Sequence, residues 1–257
     1  MRRPLLSALA VCVLTGSAVA APILPSQPTP SARPSVQRVD FHFGGAPDDT
    51  AYLFRLGMLE GHLMVGFELL QAHQPGLALP HFGHPVRELY DDFADYIDKH
   101  KFPAFDGQLA DLEKAVKAAP DAPETAAKYQ AVIVTIHKAR ELAPAELRES
   151  VPEMIKICSE TMEAASHEFG GSLDHGRISA VVEFHDSRGF LSYVAQQIAD
   201  LRAAHPDAQT TSKLDRFKAV LAKAQWILDP LLPGPVPRAS VGTLRGLAEE
   251  AEDIAKH

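Results

Sequence analysis

Residues 48–72 read DDTAYLFRLGMLEGHLMVGFELLQA. Leu53, Leu56, Leu59, Leu63, Phe67 and Leu70 recur with the 3.6-residue period of a helix. Met58, Val65 and Leu69 make the opposite side apolar as well. A helix that is apolar all round has no face for water, so this one belongs at the centre of a bundle. Asp48 and Asp49 supply N-terminal caps.

Downstream, Gln74-Pro75-Gly76 is a turn, and a second helix is predicted over about Leu77–Lys99 with Pro85 as a kink or break. Asp106 opens a third helix that ends near Ala119. Asp121-Ala122-Pro123-Glu124 has the form of a capping box and opens a fourth, to about Leu142. Ser150-Val151-Pro152-Glu153 opens a fifth, which ends at Gly170-Gly171. Ser172 is read as the cap of a sixth helix reaching Ala204, and a seventh spans about Ser212–Leu228. Pro230 to Pro237 is a proline-rich crossing, and Ser240 opens a final amphipathic helix. Val and Ile fall at helical spacing and no alternating run is bounded by hairpin turns. The expected fold is all-α, a single bundle of about seven or eight helices over residues 48–257.

Upstream, Arg2 and Arg3, the apolar run Leu5 to Leu14 and Ala18-Val19-Ala20 have the three parts of a secretory signal with cleavage after Ala20. The run is too short to span a bilayer. Residues 21–47 carry Pro22, Pro25, Pro28, Pro30 and Pro34 and read as a flexible spacer. The expected location is secreted or periplasmic, with no membrane insertion after cleavage. The formal net charge is −8. Loss of residues 1–20 removes two arginines and no acid, which takes it to −10. A chain this acidic is a poor partner for nucleic acid, whose phosphates need clustered Lys and Arg. Cleavage leaves Cys158 as the single cysteine, so no intramolecular disulfide forms. Among Met154, Ile155, Ile157 and Met162 it reads as a small buried hydrophobe.

Gly66, Ala78 and Phe82, with Leu69 at a further large apolar position, are spaced as in the tetratricopeptide repeat. Pro85 stands where that repeat has alanine. Residues 61–88 therefore resemble one tetratricopeptide-like helical hairpin. The resemblance covers about one repeat and implies helix–turn–helix packing there. It also implies an alternative role for the chain, a protein–protein interaction module with no metal.

The candidate chemistry is histidine and carboxylate. On one continuous helix His81, His84 and Glu88, at i, i+3 and i+7, point to one side. Imidazole and carboxylate are ligands for Zn, Fe, Mn or Cu. The same residues also suit a helix start with a solvated glutamate. Glu160, Glu163 and His167 repeat that spacing on the fifth helix, either as a polar face or as the partner stripe of a shared site. His62 lies between Gly61 and Gly66, two glycines that cost roughly 1 kcal/mol each inside a helix and imply close packing or ligand space. It is either a hydrogen-bonded core residue or a neighbour of the metal. The sixth helix adds His175, Glu183, His185, Asp186 and Arg188. There Glu183 or Asp186 serves as a ligand or holds a histidine tautomer, or the acids simply pair with Arg188. The candidate metal ligands are His62, His81, His84, Glu88, Glu163, His167 and Glu183.

Met58 or Met64 with a histidine leaves noncovalent haem open as a cofactor. There is no C-x-x-C-H, no G-x-S-x-G, no phosphate loop, and Gly171 stands where a zincin helix needs its second histidine. The leading expectation is transition-metal binding, transport or storage. The other partner considered is an unknown protein, and a metal-dependent enzyme is the weakest of the three readings.

Overall fold

The computed structural model describes residues 48–256, and for Asp48, His84 and Pro85 the backbone only. The expected signal peptide (1–20) and spacer (21–47) lie outside the described residues.

The all-α reading holds. The central helix is α1 (Asp48–Gln71). After it come a single turn α2 (Pro75–Ala78), a 3-10 turn over Leu79–Phe82, then α3 (His84–Lys99), α4 (Asp106–Ala118) and α5 (Pro123–Arg140). The second half holds the single turn α6 (Ala145–Arg148), α7 (Val151–Gly171), α8 (Val181–Ala204), α9 (Ala208–Ile227) and α10 (Val241–Lys256). Helix α8 packs on α1, α7 and α9, while α10 lies against α7 and α9, and α3 against α1. Leu56, Leu59 and Leu69 of α1 are fully buried, as an all-round apolar helix must be. Cys158 is buried too, and burial pushes its thiol up to about 12, so it is an inert core residue.

Two boundaries differ most from the sequence expectation, beside α9, which starts at Ala208 and not near Ser212. The helix expected over Leu77–Lys99 is broken. Pro85 falls in the first turn of α3, where its missing N–H costs nothing, and Gly83 is the N-cap residue. The helix expected to start at Ser172 starts at Val181. Residues before it form a two-residue antiparallel pair, β1 (Leu173–Asp174) with β2 (Arg177–Ile178). Its turn places His175 at φ 49° and Gly176 at φ 75°. Two consecutive positive φ values make the tight hairpin turn that matches strand twist, and they end any helix.

Two glycine contacts set how the elements approach. A Cβ on Gly189 of α8 would lie 2.3 Å from the carbonyl oxygen of Gly61 on α1. A Cβ on Gly66 would lie 2.7 Å from the Phe82 ring and 3.1 Å from His81 Cβ. The backbones of α1 and α8 therefore touch, and the 3-10 turn seats directly on α1.

The proline-rich crossing after α9 is tied down by side chains. Arg188 of α8 forms a two-pronged ion pair with Glu68 of α1, at 3.0 and 2.6 Å, and donates Nη1 to the carbonyls of Leu228 and Asp229. Arg238 donates to the carbonyl of Trp226 and lies over its indole, which is 59% exposed.

Candidate metal centre

The two glycine contacts bring three polar side chains together. His62 follows Gly61 on α1, Asp186 precedes Gly189 by three residues on α8, and His81 sits on the turn that rests on Gly66. Asp186 Oδ1 accepts from His62 Nδ1 at 2.7 Å and from His81 Nδ1 at 2.7 Å. All three residues are buried, His81 completely. Among the described residues this is the only group of three His, Cys, Asp or Glu side chains close enough to share one metal ion.

An ionised carboxylate only accepts, so both bonds fix protons on Nδ1. Burial alone would raise the Asp186 carboxyl, but the charge and hydrogen bond of His62 and the bond from His81 hold it well below the usual carboxylate range. Burial disfavours the His62 imidazolium, and the Asp186 charge and hydrogen bond overcome this and raise its pKa, with Glu168 adding to the effect. Phe190 meets the His62 ring edge-on, with centres 5.0 Å apart, and shields the pair from water.

His185, next to Asp186, is fully buried. Its Nε2 donates to the carbonyl of Leu231 at 2.8 Å, which assigns the proton to Nε2. The His81 and His185 rings stand edge to face with centres 5.5 Å apart. His81 Nε2 and His185 Nδ1 are buried and accept no hydrogen bond. Buried polar atoms are almost always paired, so two such nitrogens in adjacent residues of one centre call for an explanation.

Burial and the nearby Asp186 charge raise the Glu168 carboxyl to about 7. A raised carboxylic acid contributes stability that is full below its unfolded pKa and is lost as pH rises through the folded value. Urea midpoints measured at pH 5 and pH 7.5 should fall with pH more in the wild type than in Glu168→Gln. Parallel pH profiles would show that this carboxyl is not raised.

The candidate ligands separate as follows. His62 and His81 come together. The break at Gly83 removes the helix that was to align His81 with His84 and Glu88. His84 opens α3, and Glu88 is exposed on it. Glu163 and His167 are exposed on α7, and neither joins the His81 group. Glu160 of that stripe is raised by burial and by the charges of Glu163 and Glu252, so it faces α10 instead. Glu183 is half-buried at the start of α8 and is also outside the group. His175 is on the hairpin turn, exposed, so its alignment with Asp186 on one helix is lost. The residue to choose on α8 was Asp186. No signal in the sequence separates it from Glu183; what does is the burial of Phe184, His185, Asp186 and Ser187 in the fold.

Residues 144–230, about a third of the chain, match the family described as an iron permease-associated 4-helix bundle domain. The match takes in α6 to α9, and so Asp186 and His185, but not His62 or His81. No tetratricopeptide family matches residues 61–88. No curated protein matches the chain, and no solved structure does. Among the described residues no helix is long and apolar enough to cross a membrane.

Proposed function

We propose that this chain binds a transition-metal ion, iron foremost, at the buried centre built around His81 and Asp186, and that it carries or stores the ion outside the cytoplasm. The observation that carries the reading is one buried carboxylate oxygen shared by two buried imidazoles. Mixed imidazole and carboxylate donors suit Fe, Zn, Mn and Cu alike. The similarity of residues 144–230 to an iron permease-associated domain favours iron among them. The signal-like residues 1–20 support the location. Binding is favoured over turnover because the centre contains no nucleophile paired with a base.

The test is metal content. Protein purified without chelator and titrated with Fe(II) should carry about one ion per chain. His81→Ala should lower that by at least about tenfold, in line with losing a residue that holds or orients the ion. A wild-type chain that takes up no iron, zinc or cobalt overturns the reading. Full stoichiometry in His81→Ala removes this centre from it.

A further inference from the structure

The centre together with the neighbouring His185 offers two positions for an ion, and geometry distinguishes them. A nitrogen about 2.1 Å from an ion puts its ring centre about 3.2 Å away. Two imidazoles at a tetrahedral angle then have centres about 5.2 Å apart, and two on opposite sides of the ion about 6.4 Å. The His62 and His81 centres are 6.4 Å apart, at that outer limit, and Asp186 Oδ1 already lies 2.7 Å from both Nδ1 atoms. An ion there would have to displace two protons and the carboxylate oxygen together. The His81 and His185 centres are 5.5 Å apart, close to the tetrahedral spacing.

The proton positions leave one nitrogen free on each ring. Asp186 holds the His81 proton on Nδ1, and Leu231 holds the His185 proton on Nε2. The nitrogen left over on each ring is the one that is buried with no hydrogen-bond partner. Metal-bound histidines usually donate their other nitrogen to a carboxylate or a backbone carbonyl, and here one ring does each.

We propose that the ion is held by His81 Nε2 and His185 Nδ1, with Asp186 as the carboxylate that orients His81 rather than as a ligand. His62 then balances the Asp186 charge from the opposite side. The proposal rests on the metal-binding reading above and adds His185, which is not one of the three residues grouped around the Asp186 oxygen. Two protein nitrogens leave further coordination positions for water or a small anion, as suits an ion that is passed on rather than locked in.

The experiment uses the native chain labelled with 15N-histidine and titrated with zinc. On loading, His185 Nδ1 and His81 Nε2 should move to the metal-bound range while the Nδ1 protons of His62 and His81 persist. Loss of those two protons with His185 unmoved would place the ion between His62 and His81 and overturn the proposal, leaving metal binding itself intact. Cobalt titration gives a second arm. His185→Gln should weaken binding by at least about 100-fold, and Asp186→Asn, which alters only the orienting group, by about 10–100-fold. Wild-type affinity in His185→Gln would overturn the assignment. A native chain that binds none of these ions overturns both readings.

Discussion

Gly189→Ala is expected to cost about 3 kcal/mol of stability, the upper part of the range for forcing an atom into a packed interior. The new Cβ would meet a backbone carbonyl oxygen at 2.3 Å, not the tip of a flexible side chain. No rotamer change relieves that contact, so α1 and α8 must move apart. Phe190 and Tyr193, buried beside the crossing, would lose packing as well. The same movement separates His62 from Asp186, so metal affinity should fall along with the urea midpoint. Gly176→Ala, on the hairpin, is the control. It strains a residue at φ 75° yet leaves the crossing alone, so it should reduce stability with little effect on metal affinity. A Gly189→Ala protein with wild-type stability would mean that the two helices do not touch as described.

Glu60→Ala is expected to cost about 3–5 kcal/mol, the range for removing one partner of a buried ion pair. Glu60 precedes Gly61 on α1, and its side chain is 4% exposed. It accepts from Arg140 Nη2 at 2.5 Å and from His137 Nε2 at 2.9 Å. Burial works against its charge, but His137 and Arg140 outweigh it and lower its pKa. Arg140 Nε already lacks a partner, so loss of the carboxylate would leave the guanidinium without a counter-charge on this pair, held by one 3.3 Å bond to Gln197 Oε1 and its place over the Tyr193 ring. A depressed carboxyl contributes stability that is present above its unfolded pKa and is lost as the pH falls through the folded value. The gap between wild type and Glu60→Ala should therefore be full at neutral pH and narrow in acid. Equal urea midpoints at pH 7 would refute the buried pair.

Local features were legible in the chain and long-range ones were not. Residues 53–70 put apolar side chains on nearly every side of α1, which leaves little net amphipathicity and places the helix at the centre, so one segment was enough to indicate a bundle. Pro85 was ambiguous because a proline suits either a kink or a first turn, and only the seating of Phe82 on Gly66 decides for the first turn. The hairpin at 173–178 has two-residue strands, too short for any alternation to register. His62 stood out because of its flanking glycine, which proves to be the contact point with α8. Asp186 could not be preferred over Glu183 because they are three residues apart on one helix. What separates them is the register of the Gly61–Gly189 crossing, which joins positions 128 residues apart in the chain. The stripes at His81–Glu88 and Glu160–His167 had good spacing, but spacing alone does not say which neighbour a face meets.

The ties on the proline-rich crossing give the molecule its own optical probe. The chain has one tryptophan. Its indole sits at the C-terminal end of α9, under the Arg238 guanidinium, two residues before a carbonyl that Arg188 holds. Arg188 and His185 flank Asp186 on α8, and His185 bonds to Leu231 within the same crossing. Trp226 therefore lies at the start of the segment that Arg188 and His185 of α8 hold through the carbonyls of Leu228, Asp229 and Leu231. Unlabelled protein titrated with zinc is expected to show a change in emission if binding shifts that segment, with no second tryptophan to dilute the signal.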